Sequence, residues 1–206
     1  MSEQAHPDLF EGDMPAARPW LFDPLERGAY SLIMIDPPWK YITRSEKGLG
    51  KSADRHYQTM TIEWIMELPV AELGAKDCVL WLWATAPMLE KQMRVLRAWD
   101  FKYVTSGVWV KRTKSGKLGF GGGYTFRNSH ELVLIGSRGN PKYPNRSVRS
   151  VIEGPLREHS RKPDESYQVA RQLVPYGRAA DIFPRCTRPG WEPWGNEIAK
   201  FDEAAE

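Results

Sequence analysis

The sequence contains only two cysteines, Cys78 and Cys186, and no long apolar segment. Two cysteines cannot build a disulfide framework, which indicates a reduced, cytoplasmic protein. No apolar run approaches the length of a bilayer span, and the N-terminus lacks a basic-then-apolar signal pattern, so we expect no membrane association. The four histidines are scattered and show no spacing with cysteine that would indicate a zinc site, so we expect no metal.

The length and the charge of the chain further limit the class of protein to which it can belong. The chain has 206 residues, of which 41% are hydrophobic, and this is enough for one domain with a single core. The net charge is only +3, but twelve lysines and arginines between Lys111 and Lys162 stand against three glutamates. A segregated positive charge of this size attracts polyphosphate. By itself it is equally compatible with a solvated basic surface that has no partner.

Short apolar runs alternate with amphipathic stretches from residue 30 onward. This alternation predicts an α/β fold, with a doubly wound, mostly parallel sheet. The predicted strands are Tyr30–Ile35, Cys78–Trp83, Lys102–Val110, Glu131–Ile135, Ser150–Ile152 and Ala179–Phe183. The predicted helices cover Ile62–Leu68, a segment that starts at Pro87, and Asp164–Val174.

The ends of this pattern and one internal stretch look different. Residues 1–29 carry four prolines and little periodicity, so we expect an irregular lead-in, followed by a single domain over 30–206. Residues 111–128 are basic and glycine-rich and have no core pattern of their own. We therefore predict that they form an insertion within the domain.

The tetrapeptide Asp36-Pro37-Pro38-Trp39 directly follows the first predicted strand. In open α/β sheets ligands bind beyond the carboxyl ends of strands, so the Asp36 carboxylate should face that crevice. The two prolines keep the backbone extended and leave the Pro37 carbonyl as an acceptor. Two such acceptors can bind both protons of an aromatic amine and free its lone pair for attack on a methyl group. Trp39 would offer a flat face for the base.

Further motifs follow this tetrapeptide along the chain. They are Tyr57-Gln58-Thr59-Met60, Trp81-Leu82-Trp83, Val108-Trp109-Val110-Lys111, His130-Glu131, Gly139-Asn140-Pro141, Arg161-Lys162-Pro163-Asp164-Glu165, Asp181-Ile182-Phe183-Pro184-Arg185 and Trp194-Gly195-Asn196-Glu197. In this order they resemble the MT-A70 family, the relatives of the catalytic subunit of the eukaryotic mRNA adenosine-N6 methyltransferase. The resemblance spans nearly the whole chain after residue 30.

This resemblance implies a Rossmann-like methyltransferase that uses S-adenosylmethionine, with a permuted motif order and a target-recognition element at 111–128. It implies catalytic roles for Asp36, Pro37, Pro38 and Trp39. The implied cofactor-binding residues are Asp36, Tyr57, Lys162, Asp181, Arg185, Thr187, Arg188, Asn196 and Glu197, with Lys162 on the methionine carboxylate. The implied substrate-binding residues are Trp39, Tyr57, Lys111, Arg127 and Glu131. The chain departs from the family at Arg161, at Pro184 and at Thr187-Arg188. At Thr187-Arg188 the residues differ from those with which the family is expected to hydrogen-bond to the ribose.

The expected reaction is methylation of adenine N6 in nucleic acid. Because that nitrogen is paired in a duplex, the base must be flipped out or the substrate must be single-stranded. A compact chain without an added RNA-binding module favours DNA, and RNA is the alternative for the same chemistry. Methylation of a different amine, such as cytosine N4 or a glutamine side chain, is compatible with the same motifs, and so is a catalytically inactive nucleic-acid-binding partner subunit. The resemblance also implies that a homodimer can form.

Overall fold

The computed structural model describes residues 19–40, 59–123, 125–158 and 160–202. The strands, in chain order, are β1 (Tyr30–Ile35), β2 (Gly74–Ala84), β3 (Lys102–Arg112), β4 (His130–Arg138), β5 (Val151–Pro155), β6 (Arg178–Ile182) and β7 (Glu192–Trp194). The helices are α1 (Ile62–Met66), α2 (Val70–Leu73), α3 (Leu89–Ala98) and α4 (Asp164–Leu173), and a 3-10 turn covers Ala86–Met88.

The seven strands form one mixed sheet in the order β5-β3-β4-β2-β1-β6-β7. The pairs that β4 makes with β2 and β3 are antiparallel, and every other neighbouring pair of described strands is parallel. The fold is therefore α/β, as expected from the sequence. The doubly wound parallel sheet is not confirmed, because β4 makes the sheet mixed and few helices cover it.

Alternate side chains of the strands fill two cores, one on each face of the sheet. On β1, Ile33 and Ile35 belong to the first core, and Leu32 and Met34 belong to the second. Residues of α1, α2 and α3 pack into the first core, and residues of α4 pack into the second. Burying one such aliphatic side chain contributes about 1.5–3 kcal/mol. Since β1 is buried on both faces, it reads in the sequence as an uninterrupted apolar run.

Three local features differ from the sequence prediction. The helix predicted over Ile62–Leu68 ends early, and Pro69, which cannot donate a backbone hydrogen bond, separates α1 from α2. Strand β7 is absent from the sequence prediction, because its central Pro193 argues against a strand; an edge strand tolerates it. In the expected lead-in, Phe22 and Leu25 are buried in the first core.

The reversed direction of β4 decides which residues meet. The carboxyl ends of β1, β2, β3 and β6 lie at one edge of the sheet, and the first residues of β4 lie at that same edge. Ile35 pairs with both Leu82 and Ile182, and Leu132 pairs with Ala84. This register brings the residue after β1 close to the start of β4.

Candidate active site

Two carboxylates and two lysines form a continuous chain of ion pairs at this edge. Lys111 Nζ lies 2.6 Å from Glu131 Oε1, and Lys162 Nζ lies 2.8 Å from Glu131 Oε2. The same Lys162 Nζ lies 3.1 Å from Asp36 Oδ2. The Lys162 side chain is 10% exposed, and those of Asp36 and Glu131 are each 20% exposed. Because these charges are largely withdrawn from water, removal of one partner would leave another without compensation.

The two carboxylates that share Lys162 differ in their electrostatic state. Burial raises the pKa of Asp36, Lys162 opposes this rise, and the neighbouring Glu131 charge adds to it. Burial also acts to raise the pKa of Glu131, but Lys162 and Lys111 outweigh it and lower that pKa to about 2. Burial acts to lower the pKa of Lys162, whereas Asp36 and Glu131 together raise it above its usual value. Glu131 is therefore a fixed anion, and the charge on Asp36 depends on Lys162.

Hydrogen bonds fix the backbone of the Asp36–Trp39 tetrapeptide. The Asp36 N–H donates to the carbonyl of Ile182 in β6 at 3.2 Å. The Trp39 N–H donates to the Pro37 carbonyl at 2.8 Å. The carbonyl that the sequence predicts as an acceptor thus already uses one of its two lone pairs on its own chain. Its second lone pair remains for a ligand.

Trp39, which the resemblance implies to be catalytic, has a buried side chain. Its side chain is 6% exposed and packs in the first core. Its indole nitrogen has no hydrogen-bond partner among the described residues. A base would need some rearrangement to stack on this ring, so the proposed contact with Trp39 stays a prediction.

A narrow pocket extends from Asp36 toward the segment that follows β6. Its lining includes Asp36, Lys162, Asp181, Arg185 and Arg188, all predicted from the sequence as binding residues. The structure thus brings together residues from opposite ends of the motif order.

The far side of this pocket is built around Asp181. Burial raises the pKa of Asp181 to about 7, and the hydrogen bond from the Tyr167 hydroxyl and the Arg188 charge oppose this rise. The Arg188 guanidinium lies 3.7 Å from the centroid of the Tyr167 ring and 2.9 Å from Asp164 Oδ1. Asp181 is therefore a buried acceptor whose protonation changes near neutral pH.

Other predicted cofactor residues lie around the pocket without lining it. Arg185 Nε lies 3.2 Å from Glu197 Oε2, so this predicted pair is brought together. The Thr187 hydroxyl donates to Asp202 at 2.7 Å, and Asn196 is exposed. The lining residues include neither Thr187 nor Asn196 nor Glu197.

The predicted substrate-binding residues are divided between two places. Lys111 and Glu131 belong to the ion-pair chain at the active edge. Arg127 is exposed in the insertion, with its guanidinium 5.3 Å from the centroid of the Phe120 ring. Tyr57 lies outside the described residues.

Two residues of the site have no role assigned from the sequence. Lys162 Nζ lies 5.0 Å from the centroid of the Trp83 ring, which also lines the pocket. The Tyr167 hydroxyl hydrogen-bonds to Asp181, and Tyr167 also lines the pocket. For Trp83, the pattern Trp81-Leu82-Trp83 in a buried strand could have indicated a place in the site. Nothing in the helical pattern of α4 distinguishes Tyr167 from a core residue.

Metal ligands and membrane spans are both absent from the part of the chain that the structure describes. Among those residues, no group of histidine, cysteine, aspartate and glutamate side chains is arranged to hold a metal ion. No helix formed by the same residues has both the length and the apolar character needed to cross a bilayer.

Comparisons with known proteins cover most of the chain. A family model described as MT-A70 matches residues 30–197. The chain is 29% identical over 175 residues to an N(6)-adenosine-methyltransferase MT-A70-like protein of Arabidopsis thaliana, covering 83% of this chain and 24% of the relative. It is 29% identical over 196 residues to the Type II methyltransferase M.MunI of a Mycoplasma species, covering 86% and 82%. It is 28% identical over 189 residues to the N(6)-adenine-specific methyltransferase METTL4 of Mus musculus, covering 84% and 38%. The chain thus spans most of M.MunI but less than half of the plant and mouse relatives.

Proposed function

Because the chain belongs to the MT-A70 family of methyltransferases, we propose that it transfers a methyl group from S-adenosylmethionine to the N6 amine of adenine in DNA. The observation that carries this proposal is the position of Asp36 at the end of β1, held by Lys162 at the mouth of a polar pocket. The names of two relatives, N(6)-adenosine-methyltransferase and N(6)-adenine-specific methyltransferase, support N6 as the target atom.

Asp36 would bind the target amine. The exocyclic nitrogen is a poor nucleophile because its lone pair is delocalised into the ring. An ionised Asp36 carboxylate and the second lone pair of the Pro37 carbonyl can each accept one N–H of the amine, and this favours a pyramidal nitrogen with its lone pair available. Burial disfavours the ionised carboxylate, and the Lys162 ammonium counteracts that effect.

The pocket residues fit the cofactor in their chemistry. S-adenosylmethionine supplies an electrophilic methyl group on a sulfonium, and it also carries an ammonium, a carboxylate and an adenosine. The Asp36 and Asp181 carboxylates would favour its positive groups, and Lys162 and Arg188 can bind an anionic group. Lys162 already donates to Glu131 and Asp36, and its ammonium has three N–H donors, so one remains for the methionine carboxylate.

Nucleic acid as the substrate is supported by the charge of the insertion. Residues 111–128 contain five lysines and arginines and no acidic residue. Lys114, Lys117 and Arg127 are exposed, as phosphate contacts require. DNA is the polymer that we propose, and RNA is the alternative, since one relative is named for adenosine, the ribonucleoside.

The decisive experiment incubates the purified chain with labelled S-adenosylmethionine and with single-stranded DNA, duplex DNA or RNA, followed by mass spectrometry of the nucleosides. We expect N6-methyldeoxyadenosine, and none with the Asp36→Asn variant as the matched control. If N6-methyladenosine formed in RNA alone, the proposed polymer would be wrong and the proposed reaction would stand. Methylation of cytosine N4 in place of adenine N6 would show that the proposed target atom is wrong. Cofactor binding without any transfer would support an inactive partner subunit instead.

A further inference from the structure

The insertion between β3 and β4 has a defined shape. Arg112 and Leu118 form an antiparallel bridge that closes a turn at Gly116. The chain then returns along β3, where the Gly119 N–H donates to the Lys111 carbonyl at 2.7 Å. A Cβ atom on Gly119 would lie 2.9 Å from Leu156 Cδ1, and one on Gly121 would lie 2.6 Å from the Asn128 carbonyl oxygen. The glycines therefore let the backbone of this segment, here called the ledge, lie close to its neighbours.

Two aromatic side chains project from this ledge into solvent. Phe120 is 79% exposed and Phe126 is 81% exposed, the two highest values among the exposed large hydrophobic residues described. Neither contributes to the two cores of the sheet. Exposed phenylalanine lowers solubility and contributes nothing to folding, so a function in binding is the simplest explanation.

The surroundings of these rings match nucleic acid. The Arg127 guanidinium lies 5.3 Å from the centroid of the Phe120 ring, and Lys114 and Lys117 are exposed in the same insertion. The Phe120 ring also lines a groove, together with Lys111, Leu156 and the backbone of the neighbouring glycines. Aromatic faces interleaved with cations are the arrangement that binds bases and phosphates of a single strand.

The groove is connected to the active edge through Lys111. This lysine lines the groove and also forms the ion pair with Glu131, which in turn pairs with Lys162 next to Asp36. A strand whose target base is at Asp36 would therefore extend its neighbouring nucleotides toward the insertion.

We propose that Phe120 and Phe126 stack on the bases that flank the target adenine and that they select single-stranded nucleic acid. In a duplex the base faces are covered by neighbouring base pairs, so the two rings could not reach them. This inference rests on the proposed function, since it takes the target base to lie at Asp36.

The test measures the affinity of a fluorescent single-stranded oligonucleotide with one adenine, and of the same strand with abasic sites on both sides of that adenine. DNA and RNA versions are both used, and so is the duplex of the intact DNA strand, which should bind more weakly than the single strand. We expect the abasic strand to bind the unaltered chain about thirtyfold more weakly, which is the low end of the range for the loss of two base–aromatic stacking contacts, because the rings are exposed. In the Phe120→Leu and Phe126→Leu variants intact strands should bind more weakly, and the difference between intact and abasic strands should shrink.

Two controls separate stacking from a structural role. Phe120→Trp keeps an aromatic face and should preserve the preference for the intact strand. Trp64→Leu removes an exposed aromatic from α1, which packs into the first core, and should change nothing. An abasic penalty that is the same in Phe120→Leu, Phe126→Leu and the unaltered chain would overturn the inference. Equal or tighter binding of duplex would overturn the selection of single strands. If the unaltered chain bound and methylated no nucleic acid at all, the proposed function would fail instead.

Discussion

Glu131 offers a quantitative test of the ion-pair chain. The change Glu131→Gln removes one charge and keeps the size of the side chain, so that Lys111 loses its ion pair and Lys162 retains only Asp36. In the folded chain the pKa of Glu131 is lowered from its ordinary value of 4.5 to about 2. This corresponds to about 3 kcal/mol of stability at neutral pH, close to the cost of breaking a buried ion pair. For a chain of this length, that loss should lower Tm by roughly 10 °C.

The pH dependence identifies the source of this loss. Because the folded pKa of Glu131 is depressed, its contribution is present above pH 4.5 and disappears as the pH falls toward 2. Denaturant unfolding of the unaltered chain and of Glu131→Gln is measured at pH 7 and at successively lower pH while the fold persists. The difference between their free energies of unfolding should narrow as the pH falls. The matched control is Asp36→Asn on the same lysine. Since burial raises the pKa of Asp36, its charge does not stabilise the fold, and this variant should be at least as stable as the unaltered chain at pH 7. If the free energy of unfolding of Glu131→Gln equals that of the unaltered chain, or if their difference stays constant with pH, the reasoning is refuted.

Further outcomes follow from the same site. Asp36→Asn should reduce methyl transfer by about two orders of magnitude or more even when the cofactor is saturating, because a neutral amide accepts more weakly than a carboxylate and cannot compensate the charge that develops on the target nitrogen; transfer within tenfold would count against the mechanism. Asp181→Asn should be more stable than the unaltered chain at pH 8, with a smaller difference at pH 5. The stability linked to a raised pKa of about 7 is present below 3.8 and is lost as the pH rises through 7; denaturant melts at both pH values check this, and an equal difference at both would contradict it. Lys117→Gln should reduce the salt dependence of nucleic-acid binding by about one unit of slope and leave cofactor binding unchanged; an unaltered slope would place Lys117 outside the interface.

Several features were predictable because they depend on local patterns. The apolar run before Asp36 predicts β1, and the helix predicted to begin at Ile62 does begin there, with Thr61 accepting a hydrogen bond from the Trp64 N–H at 3.2 Å. The ordered motifs indicate the family, and most of the residues that line the pocket belong to these motifs. By contrast, β7 escapes prediction because pairing with β6, and not its own three residues, makes it a strand.

The sequence by itself determined that a carboxylate, two prolines and a tryptophan stand at the end of a doubly buried strand, in a chain with a basic insertion. Those properties follow from the order and polarity of neighbouring residues. Only the tertiary structure decided that Glu131, at the start of the antiparallel β4, shares Lys162 with Asp36, that Trp39 is buried, and that the Pro37 carbonyl already accepts a hydrogen bond. These contacts depend on strand order, direction and register, and such long-range pairings leave no local pattern in the sequence.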